Sequence, residues 1–368
     1  MIKFICRLTK SLGLALVLLV TAMAADAQPQ RLVIADQDAM GPGGSDMMSL
    51  LVLLQSPQVK LLGITVVSGD GFRDEEVQHT LRLLESIGRT DVKVYPGAAF
   101  PLLRTPQWTA LSNQLYGTPT WQGCCAPERL KRPWNDISNL PEGAPKIKAA
   151  DEDAAHFMVR MVHKYPHQVT IYAAGPMTNL ALAARIDPEF ASLAKELVFM
   201  GGSLEPNTDK PEWADAPRHE FNFWFDPEAA SIVLREPWKK ITQTTIDASL
   251  KTRPEPEVLD ALAKADSAAA KYITRYYQRP VQVNYLWDEL AAVAWLEPKV
   301  ITKTRQLYMD VNTEKGPNYG DTLTYSEHNK PDLPLNKVTA QLDVNLPLLQ
   351  QYIIDLLSKL APQPANEH

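Results

Sequence analysis

The chain has 368 residues, 45% hydrophobic and 22% charged, which is enough apolar mass for one large or two medium cores and excludes a hormone or disulfide knot. Twenty-nine prolines against seventeen glycines, with no G-X-Y period or low-complexity tract, exclude collagen and disorder and point to long structured loops. A net charge of −6 argues against nucleic acid as a partner, because phosphate binding needs a basic stripe.

Lys3, Arg7 and Lys10 precede an apolar run over 12–25 that closes on Ala25-Asp26-Ala27. This is the pattern of a cleavable secretory signal, too short to span a bilayer, so residues 1–27 are set apart from the fold of 28–368. Export to the periplasm or the exterior is the expectation, with no membrane attachment after cleavage. The remaining chain has 34 basic and 42 acidic residues and a net charge of −8. Of its cysteines only Cys124 and Cys125 then persist. They read as two loop thiols or one intermolecular bridge, with a strained vicinal disulfide as the alternative.

Apolar segments at 31–35, 59–67, 92–95, 169–174 and 197–200 read as strands. Helical patterns at 49–54, 74–87, 178–185, 227–234 and 289–296 alternate with them. The alternation predicts an α/β fold: a single domain with a mostly parallel central sheet flanked by helices. Between Pro101 and Pro145, seven prolines and the tryptophans Trp108, Trp121 and Trp134 show little periodicity, so a long loop over the sheet is expected.

Ligands in such sheets bind beyond the carboxyl ends of the strands. The first strand runs into Asp36-Gln-Asp38, a Gly/Pro-rich turn and Ser45-Asp46 at a helix start. Asp46 alone could be a first-turn acid serving the helix. Three acids within eleven residues repel one another unless a cation lies among them, and a hard divalent ion with oxygen ligands fits best. Ser68-Gly-Asp70, Ala173-Ala174-Gly-Pro, Met200-Gly-Gly202, Glu220-Phe-Asn222 and Trp287-Asp288 add an acid, a carbonyl, an amide and an aromatic from separate segments. His79, His156, His163, His167, His219 and His328 show no metal spacing and read as surface or satisfied residues, with His219 notable only for standing beside Glu220.

In the order and spacing of these blocks, together with Leu-Leu-Gly-Ile-Thr-Val-Val67, Thr178-Asn-Leu-Ala-Leu182, Val198-Phe-Met-Gly-Gly202 and Asp226-Pro-Glu-Ala-Ala230, the chain resembles the nucleoside hydrolases. The resemblance implies a calcium-dependent enzyme that splits ribonucleosides into base and ribose, with one Rossmann-like α/β domain and a homo-oligomer, dimer or tetramer. Carried over by position, Asp38 is the general base and a metal ligand, Asp46 and Asp288 are further carboxylate ligands, and Ala174 lends its main-chain carbonyl. Glu220 and Asn222 hold the ribose. Trp287, where pyrimidine-tolerant members place a histidine, resembles the purine-preferring branch, as does Asp70; Trp108 falls near that branch's second stacking tryptophan.

The chain departs from the family's first motif by three extra residues between Asp38 and Ser45, and Ser45 replaces an acid that grips a ribose hydroxyl. Before Glu220 it reads Trp213-Ala214 instead of Gly-Asn, with Asn207 as a possible substitute. Besides an exported, purine-leaning hydrolase, two readings compete: a non-catalytic nucleoside- or sugar-binding protein on the same scaffold, and a phosphatase using Asp36 and Asp38.

Overall fold

The computed structural model describes residues 30–253, 256–276 and 285–360; the signal read at 1–27 lies outside them. Nine strands form one sheet: β1 (Arg31–Gln37), β2 (Val59–Val66), β3 (Val94–Pro96), β4 (Val169–Ala173), β5 (Glu196–Met200), β6 (Ile241–Thr244), β7 (Ile301–Val311), β8 (Thr322–Tyr325) and β9 (Lys337–Val344). Their order is β3-β2-β1-β4-β5-β6-β9-β7-β8. Every pair from β3 across to β9 is parallel, and β7 pairs antiparallel with both β9 and β8.

Strand β1 is flanked on both faces, which is why its apolar run lacks alternation. Val33 and Ala35 belong to one apolar cluster with Leu50, Leu51 and Leu290; Ile34 belongs to the other, with Phe157, Leu180 and Phe199. The helix Ser45–Gln55 is buried at every residue after Ser45 and packs beside the helix Asp288–Leu296, buried throughout. Both are apolar all round, as helices sunk in a core must be.

The chain leaves β1 to build β2 and β3 on one side, then returns to place β4 on the other, with Asp36 opposite Thr65 of β2 and Ala173 of β4. That reversal makes the carboxyl end of β1 and β4 the switch point at which α/β sheets bind ligands.

One expectation needs correction. The stretch read as loop between Pro101 and Pro145 contains the helix Pro106–Tyr116. Thr105 caps it, accepting from Trp108 N at 3.1 Å, and Pro106 opens it with φ already set. Only Thr109 is buried on it, while Leu111 and Leu115 are exposed. No apolar face points inward, so no helical period was visible. Cys124 and Cys125 lie in the short turn Gly123–Cys125 as free, buried thiols, with no vicinal disulfide between them.

Candidate active site

A cleft of about 1090 Å3 opens at the switch point. Asp46, Asp70, Ala174, Glu220, Asn222, Trp287 and Asp288 line it, together with Ser45. Asp38 stands just behind, at the end of β1, nearly fully buried. Its Oδ2 accepts from Asp70 N at 3.0 Å. A Cβ on Gly69 would come within 2.1 Å of that oxygen, and one on Gly175 within 2.6 Å of Oδ1, so two glycines make the slot that holds Asp38.

Asp46 sits in the first turn of its helix, and its Oδ2 accepts from Met40 N at 2.9 Å. Asp288 opens the helix Asp288–Leu296. Gln37 Nε2 donates to its Oδ2 at 2.8 Å, and Tyr172 donates to its carbonyl at 2.8 Å. Its N–H donates to Ser45 Oγ at 3.0 Å, and that hydroxyl in turn donates to Glu289 Oε2 at 2.5 Å. The proton of Ser45 is therefore committed to a protein partner. The hydroxyl orients Asp288, and what it keeps for a sugar is one acceptor lone pair and no donor.

Glu220 caps the short helix Phe221–Phe225, accepting from Asn222 N at 2.9 Å and Phe223 N at 3.0 Å, and it also accepts from Gly202 N at 2.9 Å. Asn222 Nδ2 reaches the carbonyl of Met200 at 3.2 Å and lies 3.5 Å from that of Ala174. This ties the fourth and fifth strand ends to one side chain.

Burial, then the charges of neighbouring acids, push the carboxyls of Asp38 and Asp46 well above the usual carboxylate range. Burial pushes Asp288 up to about 7 against hydrogen bonds from Gln37 and Asp46, and Asp70 up to about 6 against Trp121 and Arg129. No cationic side chain is among the causes acting on Asp38, Asp46 or Asp288. Buried acids that repel one another without a counter-charge are a donor set for a divalent cation. The oxygens of these three are not all within 4.8 Å of one another; among the described residues only His163, Asp187 and Glu189, near the surface, meet that spacing.

Three further expectations are corrected. Trp108 is not in the cleft wall: its ring packs edge-on against Tyr319 at 6.3 Å, under Lys315. Trp121 lines the cleft, its indole N–H donating to Asp70 Oδ1. Asn207 lines a separate, smaller cavity, and Trp213 lines the main cleft. Asp36 is wholly buried, its Oδ1 accepting from Thr65 at 2.6 Å and Asn179 at 2.7 Å; it braces three segments and is not placed to attack a phosphate.

Sequence reasoning missed Gln37, Trp213 and Tyr285. The last two pack with Trp287 into one aromatic cluster, and only the closeness of Trp213 to Glu220 hinted at it.

A switch-point cleft walled by buried carboxylates and aromatic rings defines an α/β enzyme for a small polar substrate. The family model described as inosine-uridine preferring nucleoside hydrolase matches residues 33–348. The chain belongs to that family and is a nucleoside hydrolase acting on ribonucleosides. It is 28% identical to "Probable uridine nucleosidase 2" of Arabidopsis thaliana, over 88% of this chain and 97% of that one. It is 26% identical to "Pyrimidine-specific ribonucleoside hydrolase RihA" of Salmonella newport, over 86% and 95%. Its fold matches the solved purine-preferring ribonucleoside hydrolase of Gardnerella vaginalis with a TM-score of 0.69 at 24% identity, covering 89% of this chain and 98% of that one. Metal binding is typical of the family.

Proposed function

We propose that the protein is an exported, calcium-dependent ribonucleoside hydrolase that favours purine bases. The observation that carries the reading is the mutual repulsion of the buried Asp38, Asp46 and Asp288, with Asp46, Asp288 and Ala174 in the wall of one cleft and no cationic side chain among the described residues offsetting the three acids. Those four groups would hold the ion. When bound, the ion supplies a Lewis acid that lowers the pKa of water and orients it.

Asp38, fixed between Gly69 and Gly175, accepts the proton of the water whose oxygen bonds to C1′ of the ribose. The C1′–N bond breaks, its electron pair leaves with the base, and solvent returns a proton to the base. Glu220 and Asn222, held by main-chain groups, keep the ribose in place while positive charge grows on it. Trp287 brings no titratable proton to the leaving group. Its ring lines the cleft where pyrimidine-tolerant members place a histidine, and a single indole face is of the size a bicyclic base covers well, which supports the purine preference.

Incubation with inosine, adenosine, guanosine, uridine and cytidine, with calcium or with a chelator, followed by quantification of free base, tests this. Faster release from purines, abolished by chelation and restored by calcium, is expected. Full activity under chelation overturns the calcium dependence, and faster uridine cleavage overturns the purine preference. Export predicts a mature protein in the periplasm or medium whose first residue is Gln28, read by N-terminal sequencing. A dimer or tetramer is the expected solution state, read by light scattering.

A further inference from the structure

Beyond the cation cradle, Asp70, Glu212, Asp215 and Glu220 line the cleft, while Lys210 is the only lysine or arginine among the described lining residues. A divalent ion balances at most two of the three charges of Asp38, Asp46 and Asp288. Counted over the described lining residues, the loaded cleft therefore stays negative, and its low-dielectric walls concentrate that field.

Glu212 and Asp215 lie on either side of Trp213, on the turn Pro211–Ala214 and just past it. Trp213, Tyr285 and Trp287 meet at centroid distances of 5.8, 5.9 and 5.0 Å with their planes inclined by 87°, 50° and 62°. Rings so inclined cannot all stack on one flat base, yet all three line the cleft, where an aromatic wall can also take up a cation. That arrangement attracts a positive charge more than it attracts a neutral ring.

Resting on the hydrolase reading above, we infer that the cleft favours ribonucleosides whose base carries a formal positive charge, such as N-ribosylpyridinium or N7-alkylpurine ribosides. The chemistry suits the residues present. When C1′–N breaks, the electron pair returns to the ring nitrogen and cancels its charge; water's oxygen bonds to C1′, and the released proton passes to Asp38 and then to solvent. The base departs neutral without being protonated. Trp287 has no proton to give, and His219, the one histidine among the described lining residues, is held down at about 4 by burial and Arg104.

The test uses two isosteres, N-ribosylpyridinium and its uncharged carbon analogue ribosylbenzene, each measured as a competitor of inosine cleavage. The charged compound is expected to be cleaved to pyridine and ribose and to compete at least about tenfold better. That ratio is expected to fall several-fold in about 0.5 M salt, which screens exposed charge, and in the surface double variant E212Q/D215N. Equal competition by the two isosteres, with inosine still cleaved, overturns this inference and leaves the hydrolase reading intact. Failure to cleave inosine and ribosylpyridinium alike overturns both.

Discussion

Asp38 can stand where it does because two neighbours lack a side chain. Gly175→Ala would set a methyl within 2.6 Å of its Oδ1 and 2.8 Å of its N, and the carboxylate must shift. A displacement near 1 Å costs about 100-fold in rate, so steady-state kinetics should show kcat down by that factor. Asp38→Asn is expected to lower kcat by about 10²–10⁴, the usual worth of a general base; an unchanged kcat would remove Asp38 from the mechanism. His219 sets a pH effect. Its folded pKa of about 4 lies below the ordinary 6.5, so between those values the unfolded chain binds a proton that the folded chain does not. Stability from this group is complete above about 6.5 and is lost as pH falls toward 4. Urea midpoints at pH 7 and pH 5 should differ less in His219→Gln than in the wild type. The placing of Asp46 and Asp288 at the cleft was legible from acids after apolar strands or before apolar helices. The link of Ser45 to the second helix was not legible, because its spacing shows neither Glu289 nor the N–H of Asp288, which lie more than 240 residues away.

At the scale of elements, the helices Ser45–Gln55 and Asp288–Leu296 act as a pair, each bringing one acid to the cleft from a buried, mostly apolar body. Their register depends on core packing, so Leu290→Ala, at a fully buried position, should destabilise by about 2–5 kcal/mol in denaturant titration. It should also weaken cation binding by calorimetry, because Asp288 is carried on the same turn. Ser45→Ala removes the cap of the second helix and leaves Glu289 short of a donor, at a cost of about 1–3 kcal/mol. If that variant is as stable as the wild type, the Ser45–Glu289 link is not structural. These helices were readable as apolar runs, and β1, β2, β4 and β5 as short buried strands. The helix Pro106–Tyr116 was not, because its exposed leucines carry no inward period.

For the whole molecule, folding brings mutually repelling carboxylates together, so a cation that binds only the folded state must stabilise it. At a hundredfold excess over its dissociation constant the gain is about 2.7 kcal/mol. Scanning calorimetry should therefore show a higher Tm in calcium than in chelator, and identical traces would mean that no such site exists. The succession of the first five strands, the acids at strand ends and the family itself were determined by the linear chain, since local periodicity and residue type are local properties. Which tryptophan faces the cleft, that Asp36 is a brace, and that Ser45 serves Asp288 were decided only by tertiary structure. Those facts depend on contacts between segments far apart in the chain, and a side chain's chemistry follows from the neighbours that folding supplies.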